Sequence, residues 1–148
     1  MAEEVDVAEA LHTGSCLCGG VTIAAKGAAI WVAHCHCRSC RRATGGPFAT
    51  FAGFERDKVM ISGETYRQHA SSPGVKRGFC KKCGASISYE SRKWPAEIHI
   101  LVGVMDAPQD FIPQAHVCTK SKLAWLHLED GLPTFEEFPS SNQQREEA

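Results

Sequence analysis

The chain has 148 residues, 43% of them hydrophobic, with 16 Lys and Arg against 17 Asp and Glu and a formal net charge of −1. That length and composition fit one domain with its own core, and the even charge balance excludes a globally basic surface of the kind that binds nucleic acid or an anionic membrane. No apolar run approaches the length of a membrane span, so no membrane partner is expected.

The opening MAEEVDVAEA is acidic and lacks a positive n-region and an apolar h-region, which predicts a cytoplasmic protein. The stretch MAEEVDVAEALHTG reads as a loose or briefly helical lead, and SSNQQREEA at the other end as a polar tail. Residues 1–11 are therefore expected to be a flexible lead, 12–138 a single domain, and 139–148 a tail. Between them VTIAA, AIWVAHC, FATFAGF, VMIS, SISYE and EIHILVGVM are short, rich in β-branched and aromatic residues, and separated by Gly, Pro and Ser clusters. Such a pattern predicts a mainly β fold of short strands. Two helical segments are expected: a turn or two around CRSCRRATGG, stopped by Gly45 and Gly46, and SKLAWLHLED, where Leu123, Leu126 and Leu128 give rough periodicity. Trp125 and the DGLP turn read as packing and punctuation.

Eight cysteines in a reducing compartment point to metal binding or chemistry rather than disulfides. SCLCGG supplies Cys16 and Cys18, HCHCRSCRR supplies Cys35, Cys37 and Cys40, FCKKCGAS supplies Cys80 and Cys83, and Cys118 stands alone. Cys-x-x-Cys-Gly is a zinc-knuckle pattern, in which a tight turn aims two thiolates at one ion and glycine lets the backbone fold under them. Structural zinc is four-coordinate, so the knuckle takes two further donors, and Cys16 and Cys18 are the natural pair. The remaining triplet leaves a fourth position vacant, the arrangement of catalytic zinc. Other partitions stay open at this point. Cys118 closes the triplet in one, the triplet pairs with the knuckle in another, and in a third an iron–sulfur cluster takes a fourth donor. His34 or His36 could also replace a thiolate.

The runs GSCLCGGVTI, HCHCRSCRRATGGPF, SGETYRQHASSPGVKRGFCKKCGASI, VGVMDAP and PQAHVCTKSKLAWLHLEDGLPTF resemble the family of glutathione-dependent formaldehyde-activating enzymes, which includes centromere protein V. The resemblance covers roughly residues 12–135. It implies an Mss4-like, zinc-stabilised β fold with few short helices and two zinc ions. By position it assigns Cys16, Cys18, Cys80 and Cys83 to a structural ion, and Cys35, Cys37 and Cys40 to a catalytic one. It also implies a carbon–sulfur lyase resembling S-(hydroxymethyl)glutathione synthase, with glutathione and formaldehyde as small-molecule partners. Ala85 departs from the family, where serine is common after the knuckle glycine, and Cys118 is not an expected ligand position.

Three thiolates leave a divalent ion at −1. Such a centre suits holding an added thiol as nucleophilic thiolate better than making hydroxide. Thiol addition to a small carbonyl, or its reverse, is the expected reaction. CRSCRR and VKRGFCKKC place basic side chains beside these sites, and the guanidinium fork of Arg41 or Arg42 is suited to carboxylate capture, with Arg41 the expected catalytic choice. His36, between two ligands, is the expected proton shuttle, and His116 matches a histidine often seen in the family. Phe48 and Phe51 either wall a pocket or fill the core. Nucleic-acid binding has the chromatin-associated relative in its favour but no basic excess or interleaved aromatics. Two function classes remain: an enzyme on thiol adducts, and a non-catalytic zinc-stabilised binding module. The sequence carries no sign of assembly state.

Overall fold

The structure, a computed structural model, describes residues 10–139. Most of the expected lead and tail lies outside those residues, and Leu11, the last residue of the expected lead, opens a strand.

Ten strands follow in chain order: β1 Leu11–Ser15, β2 Thr22–Lys26, β3 Trp31–Cys35, β4 Ala49–Glu55, β5 Val59–Ser62, β6 Tyr66–Ser72, β7 Val75–Cys80, β8 Ser86–Ser91, β9 Glu97–Leu101 and β10 Ala115–Val117. One α-helix, α1 (Arg38–Thr44), lies between β3 and β4 among the described residues. The fold is mainly β, as the short apolar runs require. A three-stranded antiparallel sheet has the order β1-β2-β5, and a seven-stranded sheet has the order β10-β3-β4-β9-β8-β7-β6. All pairings in the larger sheet are antiparallel except that of β10 with β3.

Two cores follow from the period-2 alternation of strand side chains. Val32, Ala52, Phe54, Ile98 and Ile100 meet Val21, Ile23 and Ala25 in the main core. Their neighbours Trp31, Ala33, Cys35, Ala49 and Phe51 pack in a second cluster with Cys40 and Val117. A register shift in the β7–β8 pairing sets Phe79 opposite Ser86 and Gly78 opposite Ser88. Ile87 is thereby accommodated as a bulge and remains fully buried.

Three expectations are corrected. LHTG at 11–14 is strand rather than loose lead, because its backbone pairs with β2 in full register. SKLAWLHLED forms no helix; Thr119–Ser121 is a single 3₁₀ turn, and the segment beyond it is irregular. Trp125 is 68% exposed, so it does not pack. A segment whose apolar residues lack a consistent face has nothing to bury against the sheets.

Candidate metal centres and cleft

Cys16 follows β1 and Cys18 sits in the turn before β2, while Cys80 ends β7 and Cys83 lies in the turn before β8. The four sulfur atoms lie within 4.8 Å of one another. Cys16 Sγ is 3.6 Å from Cys18 Sγ, which is 3.7 Å from Cys80 Sγ. Four sulfurs arranged tetrahedrally at the usual zinc–sulfur bond length would be about 3.8 Å apart, so this donor set fits a zinc ion in both number and spacing. Backbone N–H groups of Val21, Gly20 and Cys83 donate to Cys16, Cys18 and Cys80 Sγ respectively. Such donors favour thiolate over thiol. The Cys80 thiol is lowered to about 6, first by its hydrogen bond with the Thr65 hydroxyl and then by the Cys83 N–H. Gly84 has φ +80°, the left-handed conformation the knuckle turn needs.

Cys35 ends β3, Cys37 is the N-cap of α1, and Cys40 lies in its first turn. Their sulfurs also lie within 4.8 Å of one another. Cys37 Sγ accepts from the Cys40 N–H at 3.2 Å, doing for this helix what a serine or aspartate oxygen usually does. Helix α1 has only seven residues and ends at Gly45 with φ +78°. The Ser86 hydroxyl caps its C-terminal end by donating to the Ala43 carbonyl at 2.9 Å. Crowding makes the three thiols unequal: Cys37 is pushed far down by contacts with Cys35 and then Cys40, whereas Cys35 is pushed up, chiefly by Cys118 and also by its two companions. The same donor chemistry suits a soft divalent cation. Cys118 is half-buried at the rim, touches Cys35, and is the non-glycine residue with positive φ (58°) among those described. It falls outside the tight sulfur triplet.

The triplet opens onto a cleft of about 860 Å³. Arg38, Arg42, Arg77, Arg92 and Lys93 supply its basic lining, and Phe51, Tyr89, His99, Trp94 and Phe138 its aromatic lining. Arg77 joins the two: its guanidinium lies 4.9 Å from the centre of the Tyr89 ring, and its terminal nitrogens are 3.8 and 3.9 Å from Cys40 Sγ. Phe51 is 4% exposed, so it both fills core and borders the cleft.

Two residues expected at the cleft are elsewhere. His36 is fully buried and points away from the cysteines, because alternate residues of an extended segment face opposite sides. Its Nε2 is 2.9 Å from His116 Nδ1, and His116 Nε2 is 2.8 Å from Asp130 Oδ2. A carboxylate only accepts, so His116 donates from Nε2 to Asp130, and His36 Nδ1 is buried without a partner. Burial, followed by His116 and His34, lowers His36 to about 4, so it is neutral at physiological pH. Arg41 lies on α1 away from the cleft, with its Nε buried and unpartnered. Phe48 packs against His34 and His36, and His34 stacks on His116 at 4.9 Å. Sequence reasoning did not single out Arg77, Tyr89 or Trp94. Only the basic run VKRGFCKKC hinted at the first.

A mainly β scaffold with one four-thiol cluster and one three-thiol cluster at a cleft defines a protein with two candidate thiolate metal centres. The sequence profile described as "Glutathione-dependent formaldehyde-activating enzyme" matches residues 11–121, and the chain belongs to that family. It is 26% identical over 111 residues to an uncharacterized lyase of Schizosaccharomyces pombe, a match covering 75% of this chain and 80% of that protein. The crystal structure of a Rhodobacter sphaeroides protein has the same fold. It has a TM-score of 0.55 at 21% identity and covers 83% of this chain and 98% of that one.

Proposed function

We propose that residues 12–138 form a cytoplasmic enzyme of carbon–sulfur lyase type that joins a thiol such as glutathione to a small aldehyde, or reverses that addition. S-hydroxymethylglutathione formation is the family's form of the reaction. The observation that carries this reading is the cleft-facing triplet. Cys35, Cys37 and Cys40 bring three sulfurs within 4.8 Å of one another, and a cavity lies beside them, with Cys118 at its rim outside that trio.

In this reading Cys16, Cys18, Cys80 and Cys83 hold a structural zinc ion, and Cys35, Cys37 and Cys40 hold a second one. When bound, that second ion supplies acidification of an incoming thiol, which free in solution near pKa 8.5 is only a few per cent thiolate at neutral pH. The chain's own residues do the rest. Arg38 and Arg42 project from α1 into the cleft and bind carboxylates of the thiol substrate. Arg77, fixed by Tyr89 on one side and Cys40 on the other, faces the carbonyl oxygen as it gains negative charge. Tyr89, its pKa raised by burial, stays protonated and offers an O–H to that oxygen. These groups replace the expected Arg41 and His36 on the cleft wall.

X-ray absorption on metal-replete protein tests the reading. Added glutathione should bring one further sulfur to the triplet metal; an unchanged coordination shell would leave the non-catalytic module as the better reading. Arg77→Met should lower kcat/KM for adduct formation by about 10²-fold, the usual cost of losing one oxyanion donor, while metal content stays at two ions per chain.

A further inference from the structure

Formaldehyde is one carbon and glutathione has no aromatic ring, yet the cleft wall beside the triplet is built of rings. Strand register explains how they line up. Arg77 is opposite Tyr89, Tyr89 opposite His99, His99 opposite Gly53 and Gly53 opposite Trp31 on five neighbouring strands. Residues on one such rung share a face of the sheet. Tyr89 and His99 accordingly stack at 5.4 Å with 24° between their planes. Phe51 lies 6.1 Å from Tyr89 and packs in the same cluster as Cys35 and Cys40, so the wall begins at the thiols. Trp94 extends it, 5.6 Å from His99. Tyr89 and Trp94 are only partly buried and border the cavity; the Tyr89 ring has Arg77 over it and His99 stacked on it, so Tyr89 offers the cavity its edge and Trp94 carries most of the exposed ring surface. The cavity, about 860 Å³, is of the size that holds a drug-sized ligand. A one-carbon unit would leave most of the aromatic lining bare.

We propose that this wall is an aryl subsite, and that the electrophile the cleft accepts is an aromatic aldehyde, giving an aryl-substituted thiohemiacetal. This rests on the thiol-addition reading above. In the forward step the sulfur–carbon bond forms and the carbonyl π pair moves to oxygen. The proton given up by the thiol ends on that oxygen. The reverse breaks the sulfur–carbon bond and returns the proton to sulfur, and neither direction needs an oxidant or reductant. The guanidinium groups take the carboxylates of the thiol, and the rings take the aryl group, which prefers offset or edge contacts with its neighbours.

Calorimetric titration of the metal-replete full chain with glutathione, S-methylglutathione and S-benzylglutathione tests the subsite without turnover. The benzyl compound should bind at least about tenfold tighter than the methyl compound, as burial of one ring dictates, and glutathione should displace it. In Trp94→Ala the benzyl-to-methyl ratio should fall towards unity. Tyr89→Leu gives the same readout if the first variant loses its cooperative melt. Equal affinities for the two thioethers, or benzyl binding that glutathione does not displace, would overturn the aryl subsite while leaving thiol addition intact. Failure of glutathione itself to bind would overturn both.

Discussion

At the scale of single residues, cysteines of the same chemistry sit in different environments. Cys80 is fully buried at the end of β7 within the four-sulfur cluster. A thiolate zinc site can contribute on the order of 10 kcal/mol to folding, comparable to the whole stability of a domain. Cys80→Ala is therefore expected to aggregate or stay unfolded, whereas Cys40→Ala should keep a native circular dichroism spectrum and lose one metal equivalent. The reverse outcome would show the pairing to be wrong. Asp130 acts through a hydrogen-bonded chain: without its carboxylate the buried His116 Nε2–H has no acceptor. Asp130 is partly exposed, so water can replace some of the loss. Asp130→Ala should lower the melting temperature slightly, and Asp130→Asn, which keeps an acceptor oxygen, should restore much of the loss. The cysteine groupings were legible from the sequence because ligand spacing is local: two residues between Cys80 and Cys83, one between Cys16 and Cys18. Arg77 was not legible. Its contact with Cys40 depends on the register of β7 in a sheet whose order no local pattern specifies.

Among the elements, those with strong alternation were visible and those without it were not. VMIS and SISYE lie where their β-branched and aromatic residues predict. YRQHASS forms β6 although nearly every residue is exposed, because it is an edge strand held by its pairing with β7. Without a buried face it has no hydrophobic signature. Helix α1 was visible through its stop signal at Gly45, and that residue allows a test of the element alone. A Cβ at Gly45 would meet nothing within 4 Å, so the cost of Gly45→Ala comes only from the φ of +78°. A left-handed non-glycine residue costs roughly 1–2 kcal/mol. Since α1 carries Cys40, the variant should show weaker metal retention at the triplet in a competition titration, with the four-thiol site unaffected.

Across the whole molecule, the two clusters join different things. Cys16 and Cys18 come from the β1–β2 connection of the small sheet, and Cys80 and Cys83 from the β7–β8 connection of the large one, so the four-thiol cluster ties the two sheets together. The triplet lies within one short stretch, at the end of β3 and the start of α1, beside an open cleft. Acid should strain this assembly through His99 as well as through the thiolates. Burial holds that imidazole below its ordinary pKa despite the Glu97 carboxylate beside it, so it is neutral when folded. Its contribution is complete above about pH 6.5 and is lost as pH falls, because the unfolded chain then binds a proton that the native state refuses. His99→Gln, which keeps an N–H donor for Glu97, should show a smaller drop in melting temperature between pH 7.5 and pH 5.5 than the parent protein. Metal removal separates the clusters more directly. A chelator reaches the triplet ion through the cleft, and losing it frees no sheet from its neighbour, so the first equivalent should leave without change in far-ultraviolet circular dichroism. In the four-thiol cluster two of the sulfurs, Cys80 and Cys16, are fully or nearly fully buried, and departure of an ion held there would remove the link between the sheets. That equivalent should leave slowly, at the rate of unfolding, with the β signal lost in the same phase. Simultaneous release of both ions with unfolding would mean that the triplet also holds the fold together, and that it is not an open site built for a visiting thiol.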